Sequence, residues 1–209
     1  MTRVLLIRHG AVELTGIAYG QRVDPALSAE GRRGVAALGR RLVAAGPAGR
    51  TLGDTPPRVV VRSPTARARA TAALLGWQDG LIDPRWSERD LGEWEGRPWA
   101  QLWEQAPAGV TTDPARFAAF TPPQGEGLAA LQERIVAALE DLGREHGVDD
   151  PASAAPVAVV CHAGPITCAL AHVLGLDMVA ALRFRVATSS ATWLTRWPGG
   201  SWTVEGVGT

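Results

Sequence analysis

Three short apolar runs, Val4–Ile7, Val59–Val61 and Val157–Cys161, each stop at polar or charged residues and then lead towards a helix-like segment. Runs this short and unbroken suit strands covered on both faces. Strands alternating with helices build a mostly parallel sheet with helices on both sides, so the expected fold is an α/β three-layer sandwich. A chain of 209 residues is long enough for one substantial core, and residues 1–209 are expected to form a single domain.

The segments between the runs carry helix punctuation. After Val61, the stretch SPTARARATAALLG offers Ser63 as N-cap, Pro64 as the first helical residue and Gly76 as the stop. After Cys161, Ile166, Leu170, Val173 and Leu174 repeat at helical spacing before Gly175. Two longer helices are predicted. One is capped by Ser28 with Val35, Leu38 and Leu42 on a stripe, and the other carries Leu128, Leu131, Ile135, Leu139 and Leu142. Near the end, SSATWLTRW and SWTVEGV flank a PGG turn and predict a hairpin on the sheet edge. GVDDPASAAP (147–156) reads as a surface loop.

Composition narrows the partners. The 21 basic residues, all arginine, balance 21 acidic ones, so no bulk field favours nucleic acid or a membrane surface. With 46% hydrophobic and 20% charged residues the chain is not disordered. The opening MTRVLLIRHG has too short an apolar stretch for a signal peptide or a membrane span, which makes a cytoplasmic location the expectation. Cys161 and Cys168 straddle a strand-to-helix turn and are expected as buried, reduced thiols.

Ligands of open α/β sheets bind beyond the carboxyl ends of the strands. There the three runs deliver Arg8 and His9, Arg62 and Ser63, and His162. Guanidiniums present a planar fork of permanently charged donors, which suits a dianionic phosphate. A cation about 4 Å from a phosphate oxygen is worth roughly 4 kcal/mol at an effective dielectric near 20, so two or three of them hold a phosphoryl group without a metal. Neutral imidazole is nucleophilic near neutral pH and can take that group covalently. The leaving oxygen then needs an acid, for which RWSERDLGEWEG supplies Glu88, Asp90, Glu93 and Glu95. A carboxylate facing a bound phosphate is pushed towards its protonated form, as a general acid requires.

The set LIRHG, RSPTARARATA, ERDLGEWEG and VVCHAGPI, in this order and spacing, resembles the histidine phosphatase superfamily, also called phosphoglycerate mutase-like. The resemblance implies His9 as the phosphorylated nucleophile, Glu88 as the proton donor, and Arg8, Arg67 and His162 as phosphate ligands, with no metal and no cofactor. Two positions depart from the family pattern: Ala11 stands where glutamate is usual, and Thr15 where phosphoglycerate mutases place an asparagine. Thr15 is a candidate hydrogen-bond donor to phosphate. QGEGLAALQERI and LRFRVATSSATWL look similar to the α-ribazole phosphatase branch, which implies a phosphomonoesterase acting on a small phosphorylated metabolite such as α-ribazole 5′-phosphate. The alternatives are a phosphoglycerate mutase and a non-catalytic phosphate-binding scaffold. No glycine-rich fingerprint follows the first strand, which disfavours a dinucleotide binder.

Residues 94–125 read as a loop-rich insertion that covers the substrate, and Trp94 is a candidate contact within it. Trp86, Trp94, Trp99 and Trp103 gather four of the eight tryptophans near the expected acid, where they fit a lid, a core or an interface with a second copy of the chain. Glu126, between Gly125 and Gly127, is either a support residue of the site or a charge at a helix N-terminus. His146 and His172 read as structural, the latter without acidic partners.

Overall fold

Val4–Ile7 form the middle of β1 (Thr2–Arg8) in a computed structural model that describes residues 1–44, 52–53, 55–147 and 155–209. The elements that follow are α1 (Ala29–Val43), β2 (Val59–Arg62), α2 (Ala66–Leu74), β3 (Leu81–Ile82), α3 (Trp99–Gln105) and α4 (Pro114–Ala119). Then come α5 (Leu128–Glu145), β4 (Val157–Cys161), α6 (Ala163–Leu174), α7 (Met178–Ala181), β5 (Ala191–Arg196) and β6 (Trp202–Gly206). The strands make one mixed sheet in the order β3-β2-β4-β1-β5-β6. Strands β1 to β4 run parallel, while β5 is antiparallel to β1 and β6 antiparallel to β5, as the hairpin reading expects.

The period of two along a strand sorts the core into layers. Val4, Leu6, Val157, Val159 and Cys161 face α5 and α6, meeting Leu131, Ile135, Leu139, Ile166 and Leu170. Leu5, Ile7, Ala158 and Val160 face the other way, onto Leu38 and Leu42 of α1 and Ala68 and Ala72 of α2. Each such Val, Leu or Ile removed from water contributes about 1.5–3 kcal/mol, which is why β1 and β4 lie at the centre of the sheet. Both cysteines are free and buried, and burial pushes the Cys168 thiol up to about 12.

Helix α1 begins where Ser28 accepts a hydrogen bond from the Gly31 amide, and α6 ends at Gly175 with φ +63°. The start of α2 differs from its sequence reading. Ser63 does not cap it; the helix begins at Ala66, and its first amides donate to the Asp24 carboxylate from a distant loop. Ser63 is thereby free for the site described below. Most of the expected loop 147–156 lies outside the described residues.

Residues 94–125 are not merely loop. They hold α3 and α4, and their Trp94 and Leu102, flanked by Trp99 and Phe120, form a third hydrophobic cluster with Ala18 and Leu91. Among the described residues no helix is long and apolar enough to cross a membrane.

Candidate active site

Register brings the predicted strand ends level. Arg8 pairs with Cys161, Arg62 pairs with Val160, the His9 amide donates to the Cys161 carbonyl at 3.0 Å and the Ser63 amide to the Val160 carbonyl at 3.0 Å. His9, Ser63 and His162 therefore leave the sheet at one edge. Gly10 is required by packing: a Cβ there would lie 2.8 Å from the Gly31 carbonyl oxygen of α1. That close approach lets the Gly10 amide donate to Thr71 Oγ1 of α2 at 3.1 Å.

His9 is 2% exposed, and its Nδ1 lies 2.7 Å from the Gly10 carbonyl oxygen. A carbonyl only accepts, so Nδ1 carries the proton and Nε2 keeps a free lone pair. Burial, together with the charges of Arg67 and Arg8, lowers the pKa of His9 from 6.5 to about 3. The ring is neutral throughout the physiological range.

Three groups expected to hold phosphate lie around it. The His162 ring centroid is 5.1 Å from that of His9, and its Nε2 is 2.8 Å from Ser63 Oγ. Burial and the neighbouring positive charges hold His162 well below the usual histidine range. Arg67 is fully buried; its Nη1 pairs with Asp24 at 2.8 Å, its Nη2 donates to the Gly20 carbonyl at 2.6 Å, and Tyr19 lies 5.1 Å away. Arg8 donates through Nη1 to the Val186 carbonyl. Among the described residues Arg8 Nε, Arg67 Nε and His162 Nδ1 are buried without a partner. Leaving a buried donor unpaired costs about 1–3 kcal/mol, and two guanidinium Nε–H groups unpaired beside one imidazole suit an anionic ligand.

Of the four candidate acids, only Glu88 faces the cavity of 280 Å³ that Arg8 and His9 line. Its Oε1 accepts from the Arg89 amide at 2.9 Å and its Oε2 from the Gly164 amide at 3.4 Å. A Cβ at Gly164 would stand 2.2 Å from Glu88 Oε1, so the carboxylate rests on this glycine at the start of α6. Glu95 instead accepts from the Gln21, Arg22, Val23 and Leu91 amides and clasps two loops together. Asp90 accepts from the Gly92 amide and meets Arg22 at 3.3 Å, while Glu93 accepts from Gln124.

Glu126 makes a two-point ion pair with Arg134, at 2.7 and 2.8 Å. Arg134 in turn donates to the carbonyls of Arg85, Ser87 and Glu88 at 2.6, 2.8 and 3.0 Å. The pair fixes the backbone that carries Glu88. Sequence reasoning missed Arg134, although its place beside Leu131 and Ile135 on α5 put it next to the buried stripe. It also missed Arg89, which is 7% exposed, lines the cavity and donates to the Glu126 and Phe120 carbonyls. Asp24 and Gly20, the partners of Arg67, carried no signal in the sequence.

Two expectations are corrected by placement. Thr15 is exposed and does not line the cavity; Ile17 and Tyr19 of the same loop do. Trp94 is buried in the third cluster, stacked 4.8 Å from Phe120, whereas Trp99 and Phe117 form cavity wall. The Trp94 indole is 7% exposed and meets the rings of Trp99, Trp103 and Phe120. His172 has an acidic partner after all, Glu140 at 2.9 Å.

A mixed α/β sheet with a neutral histidine at a strand end, and with guanidiniums and one carboxylate gathered beside it from a helix and a loop, defines a class of protein suited to phosphoryl groups. The chain belongs to the histidine phosphatase superfamily (branch 1), whose family model matches residues 4–209. It is 33% identical over 183 residues to a glucosyl-3-phosphoglycerate phosphatase of Mycobacterium tuberculosis, covering 84% of this chain and 77% of that one. It is 29% identical over 222 residues to a probable phosphoglycerate mutase of Klebsiella pneumoniae, covering 100% and 93%. The solved mycobacterial glucosyl-3-phosphoglycerate phosphatase is similar at a TM-score of 0.79 and 26% identity, covering 100% of this chain and 99% of that one. An α-ribazole phosphatase of Shigella flexneri gives a TM-score of 0.80 at 21% identity over 100% and 96%, a likeness of fold alone.

Proposed function

We propose that the chain is a metal-independent phosphomonoesterase that works through a phosphohistidine on His9. The observation that carries this reading is the Nδ1 contact of His9 with the Gly10 carbonyl, which leaves Nε2 unprotonated near three unpaired buried nitrogens of Arg8, Arg67 and His162. Nε2 attacks phosphorus as the bond to the ester oxygen breaks, and Glu88 supplies the proton that this oxygen needs. Water then attacks the phosphohistidine, Glu88 takes back a proton, and inorganic phosphate leaves. Arg8, Arg67 and His162 hold the equatorial oxygens, over which the negative charge of the transferring group is spread in both steps. Ser63, which accepts from the Thr65 amide, donates to His162 Nε2 and leaves His162 Nδ1–H for the phosphate.

The substrate is a small phosphorylated metabolite. The glucosyl-3-phosphoglycerate phosphatase relative supports a phosphorylated glycerate derivative more strongly than α-ribazole 5′-phosphate, whose enzyme resembles this chain in fold alone. The full-length similarity to a probable phosphoglycerate mutase keeps transfer between hydroxyls as the second reading. Phosphate release and isomerisation, measured on 3-phosphoglycerate with EDTA present, separate the two. The proposal expects release that survives chelation, and it fails if isomerisation dominates or chelation abolishes turnover.

A further inference from the structure

Beside the catalytic cavity lies a second, larger groove of 590 Å³, lined by Trp103, Thr111, Thr112, Asp113, Phe117 and Arg185 among others. The two spaces share Phe117 as a common wall. An aromatic path also joins them: Trp99 of the cavity stacks on Trp103 of the groove at 4.9 Å and 23°. The far side of the groove is tied to the phosphate end, because Arg8 donates to the carbonyl of Val186, next to Arg185. A ligand with its phosphoryl group at His9 and longer than a glycerate can extend past Phe117 into this groove.

The groove's chemistry is mixed. Trp103 is 37% exposed, with Trp99 stacked on its ring and Trp94 and Phe117 against it edge-on. Thr111 and Thr112 are exposed hydroxyls, and Asp113 lies between them and α4. Arg185 is exposed and has no ion-pair partner among the described residues. An aromatic platform rimmed by hydroxyl, carboxylate and guanidinium groups fits a hydroxylated ring, which stacks its C–H face on the indole and spends its hydroxyls on the rim.

We propose that this groove is the subsite for a sugar ring carried on the organic half of the phosphate ester, with Trp103 as its platform. The inference rests on the phosphatase reading above and adds the substrate class. Segment 94–125 then covers the substrate through Trp99, Trp103 and Phe117 rather than through Trp94.

The test compares hydrolysis of glucosyl-3-phosphoglycerate, 3-phosphoglycerate and α-ribazole 5′-phosphate by wild type and variants. Wild type should prefer the glucosylated ester over 3-phosphoglycerate by about tenfold or more in kcat/KM, and Trp103→Ala should erase that preference mainly through KM. Arg185→Ala and Thr112→Val, both at exposed positions, should lower the same ratio by about threefold each, and they keep the test open if Trp103→Ala does not fold. A wild type that hydrolyses the two glycerate esters equally, or variants that leave the ratio intact, would overturn the subsite alone. Preference for α-ribazole 5′-phosphate, lost in Trp103→Ala, would replace the sugar with a planar base. Failure to release phosphate from any ester would instead strike the phosphatase reading itself.

Discussion

His9 and Trp99 line the same cavity, yet the backbone beneath them is held in different ways. His9 follows β1, which is paired on both sides by β4 and β5 and packed between two layers of helices. Trp99 opens the seven-residue helix α3, whose support is a small aromatic cluster outside the main core. The floor of the cavity is therefore fixed by the whole sheet, and the Trp99 part of the cover by rings packed on one another, with Phe117 resting on the main core. Under the proposed function, this floor keeps His9 and the phosphate ligands in register with phosphorus. Under the same proposal, chemistry belongs to the floor and choice of substrate to the cover.

Substitutions at the two places should fail differently. Glu88→Gln keeps the size of the side chain and removes its proton, so alkyl phosphates should lose about 10²-fold in kcat and p-nitrophenyl phosphate only a few-fold. Equal losses on both esters would remove Glu88 from the acid role. Trp94→Ala deletes the centre of the cover and should cost about 3 kcal/mol of local stability. Limited proteolysis should then cut within 94–125 while the unfolding transition of the sheet stays near wild type. Joint collapse of both would show that the cover is not a separate unit.

A third test concerns pH and the floor alone. His9 binds its proton near 6.5 when unfolded and near 3 when folded. The unfolded chain therefore takes up the proton first, and stability falls as pH drops from 6.5 towards 3, by about 1.4 kcal/mol per pH unit from this one group. Urea unfolding of His9→Gln should show a slope against pH shallower by one proton. Identical slopes would mean that the imidazole is not held neutral.

What the sequence disclosed follows the same division. Val4–Ile7 and Val157–Cys161 were legible because strands buried on both faces admit only apolar residues, and the motifs at their ends name His9 and His162. Ser63 misled because a serine before Pro64 looks like a helix cap, while the structure assigns capping to Asp24 and spends Ser63 on His162. Arg134 was hidden because its partners are carbonyls, which leave no trace in residue type. Trp94 and Trp99 could not be told apart at all, since cavity wall and cluster interior use the same residue.

The central claim is that His9 carries the phosphoryl group. Quenching wild-type turnover in alkali and mapping the phosphorylated peptide tests it directly. The account predicts an alkali-stable, acid-labile phosphoryl group on the peptide containing His9, absent from His9→Ala, which should lose at least about 10³-fold in kcat. A phosphoryl group on another residue, or a His9→Ala variant that still turns over, would contradict it.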